Sequence, residues 1–85
     1  ASIKNSFIAN GCIIEGKVIN SVLGRSIHVG KDAIIKDSVI GSYANIDDGA
    51  RVENAIIDKE ANIVHIKEIK GTKENPVYIE RGDTI

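Results

Sequence analysis

Histidine is the side chain best suited to acid–base chemistry near neutral pH, and this chain has two, His28 and His65. They lie 37 residues apart. Two histidines cannot supply the three imidazole ligands of a histidine-only metal site within one chain, and no further histidine stands nearby. We predict that both are surface histidines, and that the chain contains no catalytic, cofactor-binding or metal-binding residue.

Three other short motifs have simpler structural interpretations. The run GRSIHVGKD at 24–32 differs from a phosphate-binding loop, because its glycines are six positions apart and Asp32 stands where that loop needs serine or threonine. The adjacent acids Asp47 and Asp48 have no partner acid or base at a fixed spacing, so we predict turn residues. The tripeptide at 81–83, Arg-Gly-Asp, is predicted to be a glycine turn.

A four-residue phrase recurs along the chain, and it predicts the fold that holds all of these side chains in place. It reads NSFI at 5–8, NSVL at 20–23, DSVI at 37–40 and NAII at 54–57, at intervals of 15, 17 and 17 residues. A repeat that keeps its register at a fixed period is typical of a solenoid, in which each unit buries its apolar side only by stacking on the next.

Within the 17-residue period, large aliphatic residues recur at about every sixth position, and small residues follow several of them by four. Ala44 follows Ile40, and Ala50 follows Ile46. This pattern is the hexapeptide repeat, with three units to a triangular coil and one unit a residue short. Coils of this kind resemble the left-handed parallel β-helix. We therefore predict an all-β, single-stranded, left-handed parallel β-helix of about four coils.

We predict one domain over residues 1–85. Residues 1–7 are a lead-in, 8–64 form the hexapeptide coils, and 65–85 form an irregular C-terminal cap or tail. The first coil is two residues short, and the sequence does not show which corner absorbs the deletion. Residues 71–76 are a predicted loop, and the segment that begins at Val77 is either a final strand or part of the cap.

Composition narrows the class of protein. The 17 isoleucines and 7 valines favour strands, while 12 acidic and 11 basic residues are interspersed, without the basic surface that nucleic acid requires. No apolar run is long enough to span a bilayer. The single cysteine, Cys12, aligns with Val29 at the 17-residue period, so we predict a small buried hydrophobe. We expect a cytoplasmic protein that binds neither nucleic acid nor membrane.

Several longer phrases resemble one enzyme family. GCIIEGKVINSVLGR at 11–25 is similar to the start of the β-helix in glucose-1-phosphate adenylyltransferases, also called ADP-glucose pyrophosphorylases. VGKDAIIKDSVI at 29–40 and ARVENAIIDKEANI at 50–63 continue the likeness, and NPVYIERG at 75–82 resembles the tail after the last coil. The resemblance is strongest to the D-type glycogen-biosynthesis subunit of two-subunit bacterial enzymes.

The resemblance implies a function. In that family an amino-terminal domain joins ATP and glucose 1-phosphate, with magnesium, to give ADP-glucose and pyrophosphate. The β-helix serves oligomerisation and allosteric regulation, and is not catalytic by itself. This chain would then need no cofactor and would form homo- or hetero-oligomers with nucleotidyltransferase subunits. Arg25, His28 and Lys31 are the candidate effector or interface residues, with His28 where the family often has a second basic residue.

Two alternatives stay open. The first is a hexapeptide acyltransferase that works as a trimer with a histidine base; four coils without a long projecting loop disfavour it. The second is an inert scaffold from another sugar nucleotidyltransferase.

Overall fold

The computed structural model describes residues 2–85, and every regular element in that range is a short parallel strand. Because these residues form no helix, they contain no helix that could cross a membrane. The strands are β1 (Ser2–Lys4), β2 (Phe7–Ile8), β3 (Ile13–Ile14), β4 (Lys17–Ile19), β5 (Val22–Leu23), β6 (His28–Val29), β7 (Ile34–Lys36), β8 (Val39–Ile40), β9 (Asn45–Ile46), β10 (Arg51–Glu53), β11 (Ala55–Ile57), β12 (Asn62–Ile63), β13 (Glu68–Lys70) and β14 (Val77–Ile79).

The chain winds as a triangular solenoid with one sheet on each side. The first sheet has the order β1-β4-β7-β10-β13, the second β2-β5-β8-β11-β14, and the third β3-β6-β9-β12. We call the outward surfaces of these sheets face A, face B and face C. Each strand inside the stack pairs in parallel with its equivalents in the coils before and after it, which gives about four turns. The predicted parallel β-helix of the hexapeptide kind is confirmed.

Aliphatic columns fill the interior. Ile46 is fully buried, and its neighbours in the same column are Val29 and Ile63, which are also fully buried. The alanines at the predicted small positions, Ala44 and Ala50, are 2% and 1% exposed. Burying one aliphatic side chain contributes roughly 1.5–3 kcal/mol, so these columns are the main source of stability. The other large buried members are Val18, Leu23, Ile27, Ile35, Ile40, Val52, Ile57, Ile69 and Ile79.

The returning phrase forms the corner between the first and second sheets. Its first residue adopts a left-handed backbone conformation with φ of 49° or 50°, which asparagine and aspartate tolerate better than most residues. Its third residue points outward and its fourth points into the core. The phrase therefore encodes a turn and the start of a strand. The four left-handed residues are Asn5, Asn20, Asp37 and Asn54.

The second residue of the phrase forms a ladder of hydroxyl groups along that corner. The Ser21 N–H donates to Ser6 Oγ at 3.1 Å, the Ser38 N–H donates to Ser21 Oγ at 3.1 Å, and the Ala55 N–H donates to Ser38 Oγ at 3.2 Å. Each hydroxyl donates in turn to the carbonyl two residues earlier, as Ser38 does to Lys36 at 2.8 Å. Buried backbone N–H groups need hydrogen-bond acceptors. At this corner the serine hydroxyls accept from N–H groups that have no partner in strand pairing.

The shortened corner of the first coil connects the third sheet to the first. Ile13 pairs with His28, a separation of 15, whereas Lys17 pairs with Ile34, a separation of 17. Only residues 15 and 16 join β3 to β4, while residues 30–33 join β6 to β7. A Cβ on the buried Gly16 would lie 2.2 Å from the carbonyl oxygen of Ala33, so the shortened corner needs glycine.

This register corrects one expectation about Cys12. Val29 pairs with Ile14, which is 15 positions earlier, and not with Cys12, which is 17 positions earlier. The two-residue deletion lies after both residues, so the period between this coil and the next is 15 at this point. Cys12 is only partly buried; it packs against the core, and its thiol donates to the Gly24 carbonyl oxygen at 3.1 Å.

Strands extend into both segments that the sequence interpretation placed outside the coils. Strand β1 pairs with β4, and strands β13 and β14 pair with β10 and β11. Residues 71–76 lie between β13 and β14, as the predicted loop requires. The fifth turn adds no named strand to the third sheet, but Thr84 pairs with Asn62, and the Val64 N–H donates to the Ile85 carbonyl oxygen at 2.8 Å.

Candidate functional site

The three faces of the solenoid differ in chemistry. Face A carries exposed or half-exposed charges on every strand. Face C carries Ile13, His28, Asn45 and Asn62, a mostly polar row. Face B carries only apolar and aromatic side chains. The charges on face A are five cations and two acids: Lys4, Lys17, Lys36, Arg51, Lys70, Glu53 and Glu68.

On face C, His28 is held between two oxygen acceptors from different coils. Its Nδ1 lies 2.9 Å from Asn45 Oδ1, and its Nε2 lies 3.1 Å from Glu15 Oε1. Glu15 belongs to the two-residue corner of the first coil, whereas Asn45 follows His28 by one full turn. A doubly protonated ring satisfies both acceptors at once, since both nitrogens then donate.

These contacts raise the pKa of His28 above its usual value of 6.5. The hydrogen bond to Asn45 is the largest cause and the hydrogen bond to Glu15 is the second; partial burial opposes them, and the negative charges of Glu15 and Asp48 add to the rise. A general base must be free to accept a proton near neutral pH. His28, both of whose ring nitrogens are engaged by oxygen acceptors, is poorly suited to that role.

Arg25 and Lys31 lie at the two corners that flank His28. Arg25 stands before β6, and its backbone N–H donates to Ser42 Oγ at 3.1 Å. Lys31 stands after β6, and its backbone N–H donates to Asp48 Oδ1 at 2.9 Å. Both side chains are exposed, and no hydrogen bond or ion pair within residues 2–85 joins either side chain to His28. Their predicted effector role therefore stays a prediction.

The remaining predicted features have ordinary surroundings. His65 is exposed, and its backbone N–H donates to the Ile85 carbonyl oxygen at 2.8 Å. Asp47 and Asp48 lie at the turn between β9 and β10. The Asp48 backbone N–H, followed by the Lys67 ammonium at 3.0 Å, lowers the pKa of the Asp47 carboxyl. Arg81 Nε donates to Glu60 Oε1 at 3.1 Å.

Face B presents a single apolar row that crosses all five of its strands. Each residue is the outward-pointing member of its strand, and all are exposed to between 41% and 71%. A groove of about 480 Å³ runs along one side of the row, walled at its C-terminal end by Thr72, Lys73 and Pro76. The row consists of Phe7, Val22, Val39, Ile56 and Tyr78.

The tyrosine at the C-terminal end of this row is oriented by a side-chain hydrogen bond. The Tyr78 hydroxyl donates to Asp58 Oδ2 at 2.8 Å. This hydrogen bond is the main cause of the raised pKa of Tyr78. The pKa of Asp58 is lowered, first by the Lys59 N–H and second by the Tyr78 hydroxyl. A ring that is already oriented loses little conformational freedom when a partner covers it.

Sequence reasoning missed the apolar row, although the signal was present. The third residue of each phrase is Phe7, Val22, Val39 or Ile56, apolar in every copy at a position that alternation directs outward. The contact between Glu15 and His28 could not be found in the same way, because it depends on which corner is shortened.

Comparison with known proteins agrees with this geometry. A family model described as GlmU-like, C-terminal hexapeptide matches residues 1–75. The chain belongs to this hexapeptide family. The predicted left-handed parallel β-helix thus agrees with the family match and with the stacked parallel coils of the structure. No solved structure matches the chain significantly.

Named relatives of this GlmU-like hexapeptide chain confirm the predicted resemblance. The glycogen biosynthesis protein GlgD of Bacillus subtilis is 38% identical over 82 residues, which are 96% of this chain and 24% of that protein. GlgD of Geobacillus stearothermophilus is 46% identical over 95% of this chain. A glucose-1-phosphate adenylyltransferase of Clostridium perfringens is 51% identical over 47 residues, or 55% of this chain. The chain spans about a quarter of the length of the GlgD proteins.

Proposed function

We propose that this chain is the C-terminal β-helix module of a glucose-1-phosphate adenylyltransferase subunit of the GlgD type, active in glycogen biosynthesis in the cytoplasm. The module holds subunits together and contributes to their allosteric regulation, while catalysis, with its ATP and magnesium, belongs to the rest of the parent protein. Its partners are nucleotidyltransferase subunits, either identical or of a second type.

The observation that carries this proposal is the match to GlgD along nearly the whole chain, at 38% and 46% identity. The structure supplies a physical reason why such a module suits assembly. A solenoid of stacked aliphatic columns is a rigid body, and its outward residues can change without disturbing the core. One of its sides, face B, exposes a continuous apolar row of the kind that marks interaction sites.

The proposed effector role rests on the second coil. Arg25 and Lys31 are exposed cations at opposite ends of β6, with the raised-pKa His28 between them. Two cations on one coil would attract an anionic effector such as a phosphorylated sugar, and the protonated form of His28 would add to that attraction. We expect Arg25→Ala and Lys31→Ala each to weaken the effector response of the parent enzyme without changing its assembly.

Deletion of this module from a full-length parent subunit tests the proposal. We expect the truncated subunit to lose association with its partners in sedimentation velocity, and its activity to lose its dependence on effector. Lys59→Ala, a change at an exposed cation of another coil, is the control for surface charge. A truncated parent that assembles and responds to effector as the intact protein does would refute the proposed role.

A titration of the chain with acetyl-CoA separates this proposal from the acyltransferase alternative. A module without acyl transfer should show no saturable rise in melting temperature, whereas binding to the native state would raise it with ligand concentration. His28→Ala provides the control for any effect that does appear.

A further inference from the structure

Face B combines two properties that the other sides of the solenoid lack. Its outward strand residues include no charge, and its exposed apolar side chains form one unbroken column from the first coil to the fifth. Val22, Val39 and Ile56 occupy the middle of this column and are 49%, 48% and 41% exposed. Aromatic rings, Phe7 and Tyr78, stand at its two ends.

We propose that face B binds face B of a second copy of this chain, about a two-fold axis that lies between the two faces. This inference rests on the proposed assembly function and names the surface and the partner that carry it. An interface of this kind brings the same patch of both subunits together, so the patch must be compatible with itself.

Charge selects face B for self-association over face A. Face A has five cations and two acids, so two copies that met through it would oppose like charges. Face B brings no charge of its own strands against another. Its apolar row loses water on both sides at once, which is the favourable term in most protein association.

The size of the face also fits a second copy. A standard interface buries about 800 Å² on each partner, roughly a sixth of the 5013 Å² that this chain exposes. The groove beside the row gives the partner's side chains a recess of about 480 Å³ to fill.

The edges of face B favour parallel solenoids. Asp37 lies on the edge shared with face A, at the level of the central strand β8. If the solenoid axes were antiparallel, Asp37 would face its own copy across the two-fold axis. If they are parallel, Asp37 faces the partner's other edge, where the same coil carries the uncharged residues Gly41, Ser42 and Tyr43. Parallel axes therefore keep Asp37 away from its own copy.

Parallel packing about a two-fold axis places each member of the row beside its own copy, so cross-linking can test it directly. In a Cys12→Ser background, we expect Val39→Cys and Phe7→Cys each to form a disulfide-linked dimer under mild oxidation. Arg51→Cys on face A is the matched control and should remain monomeric. A dimer through Val39→Cys but not through Phe7→Cys would overturn the parallel orientation and keep the interface.

Sedimentation equilibrium of the unmodified chain tests whether a second copy of the chain is the partner. We expect concentration-dependent dimers, and we expect Val39→Lys to weaken dimerisation more than about tenfold, because both copies bring the new ammonium to the two-fold axis. Ile13→Lys places the same change at a 61% exposed position on face C and should leave dimerisation unchanged. Circular dichroism of both variants verifies that the coils remain folded.

The outcomes separate this inference from the function on which it rests. If Val39→Lys left dimerisation unchanged, the copies would meet through another surface. The assignment to face B would then be refuted, while the assembly role would stand. A chain that stays monomeric up to about millimolar concentration would overturn the second copy as partner. If module deletion also left the parent assembled, the proposed function would fail with it.

Discussion

The first coil and the third coil are built from the same phrase but differ in burial. In the first sheet, Ile3 of the first coil is 53% exposed, while its counterpart one turn later, Val18, is fully buried. In the third sheet, Ile14 is partly exposed, and Ile46 of the third coil is fully buried. The residue types are alike, so composition does not explain the contrast.

The difference comes from the number of neighbouring coils. A coil in the middle of the stack is covered on both sides, whereas the first coil described by the structure is covered on one side only. Within a solenoid each repeat contacts only its nearest neighbours, so burial follows the position in the stack. At the other end, Ile69 and Ile79 are still only 6% and 8% exposed, and Val77 and Ile85 pack against the core.

A charge in the third coil should break the fold, and the same change in the first coil should not. Ile46→Asp places a carboxylate in a fully buried column. An unpaired buried charge costs about 3–5 kcal/mol or more against a total stability of about 5–15 kcal/mol. We expect an unfolded protein by circular dichroism and NMR. Ile3→Asp, at a half-exposed position, should remain folded; an unfolded Ile3→Asp variant would contradict the comparison.

Gly16→Ala tests the close backbone approach at the shortened corner. The added methyl group would lie 2.2 Å from the Ala33 carbonyl oxygen and 2.8 Å from that of Gly30. Because backbone must move, we expect a loss of about 3 kcal/mol in urea unfolding. Gly49→Ala, where no atom lies within 4 Å but φ is +73°, should cost only about 1 kcal/mol. Equal losses would mean that the shortened corner is not tightly packed.

The serine ladder should matter more in the middle of the stack than at its end. Ser38→Ala removes the acceptor of the buried Ala55 N–H, which should cost about 1–3 kcal/mol. Ser6→Ala removes the acceptor of the Ser21 N–H in the exposed first coil, where water can replace it, so we expect less than about 1 kcal/mol. Thermal unfolding of both variants measures the difference.

His28 should give stability a small pH dependence, because it links the first coil to the third. Its pKa is raised in the folded protein above 6.5. The protonated ring therefore contributes stability that is fully present below about pH 6.5 and is lost as pH rises through the raised folded pKa. We expect an effect of about 0.2–1 kcal/mol, typical of exposed pairs. His28→Gln should flatten this part of the stability profile between pH 6 and pH 8, as measured by urea unfolding at each pH.

Much of the fold was readable from particular residues. The phrase at positions 5, 20, 37 and 54 and the alanines four places after Ile40 and Ile46 predicted the coil and its inward register. The resemblance to glucose-1-phosphate adenylyltransferases came from longer phrases, above all the one at 11–25. Repetition makes this possible: a residue that recurs at a fixed period occupies an equivalent environment in every coil, so local pattern and tertiary position coincide.

Tertiary structure decided what repetition leaves undefined. The sequence spacing is the same whichever corner of the first coil is two residues short. Only the structure shows that the short corner is Glu15 and Gly16. As a result Val29 pairs with Ile14, and Glu15 contacts His28. The strands beyond Ile63 form because the last full coil offers unpaired edges to them. The sequence by itself determined the solenoid, its buried columns and the positions of the outward apolar row, since all of these recur with the period. The place of the shortened corner and the strands at the two ends depend on contacts between coils, and only the folded chain defines those.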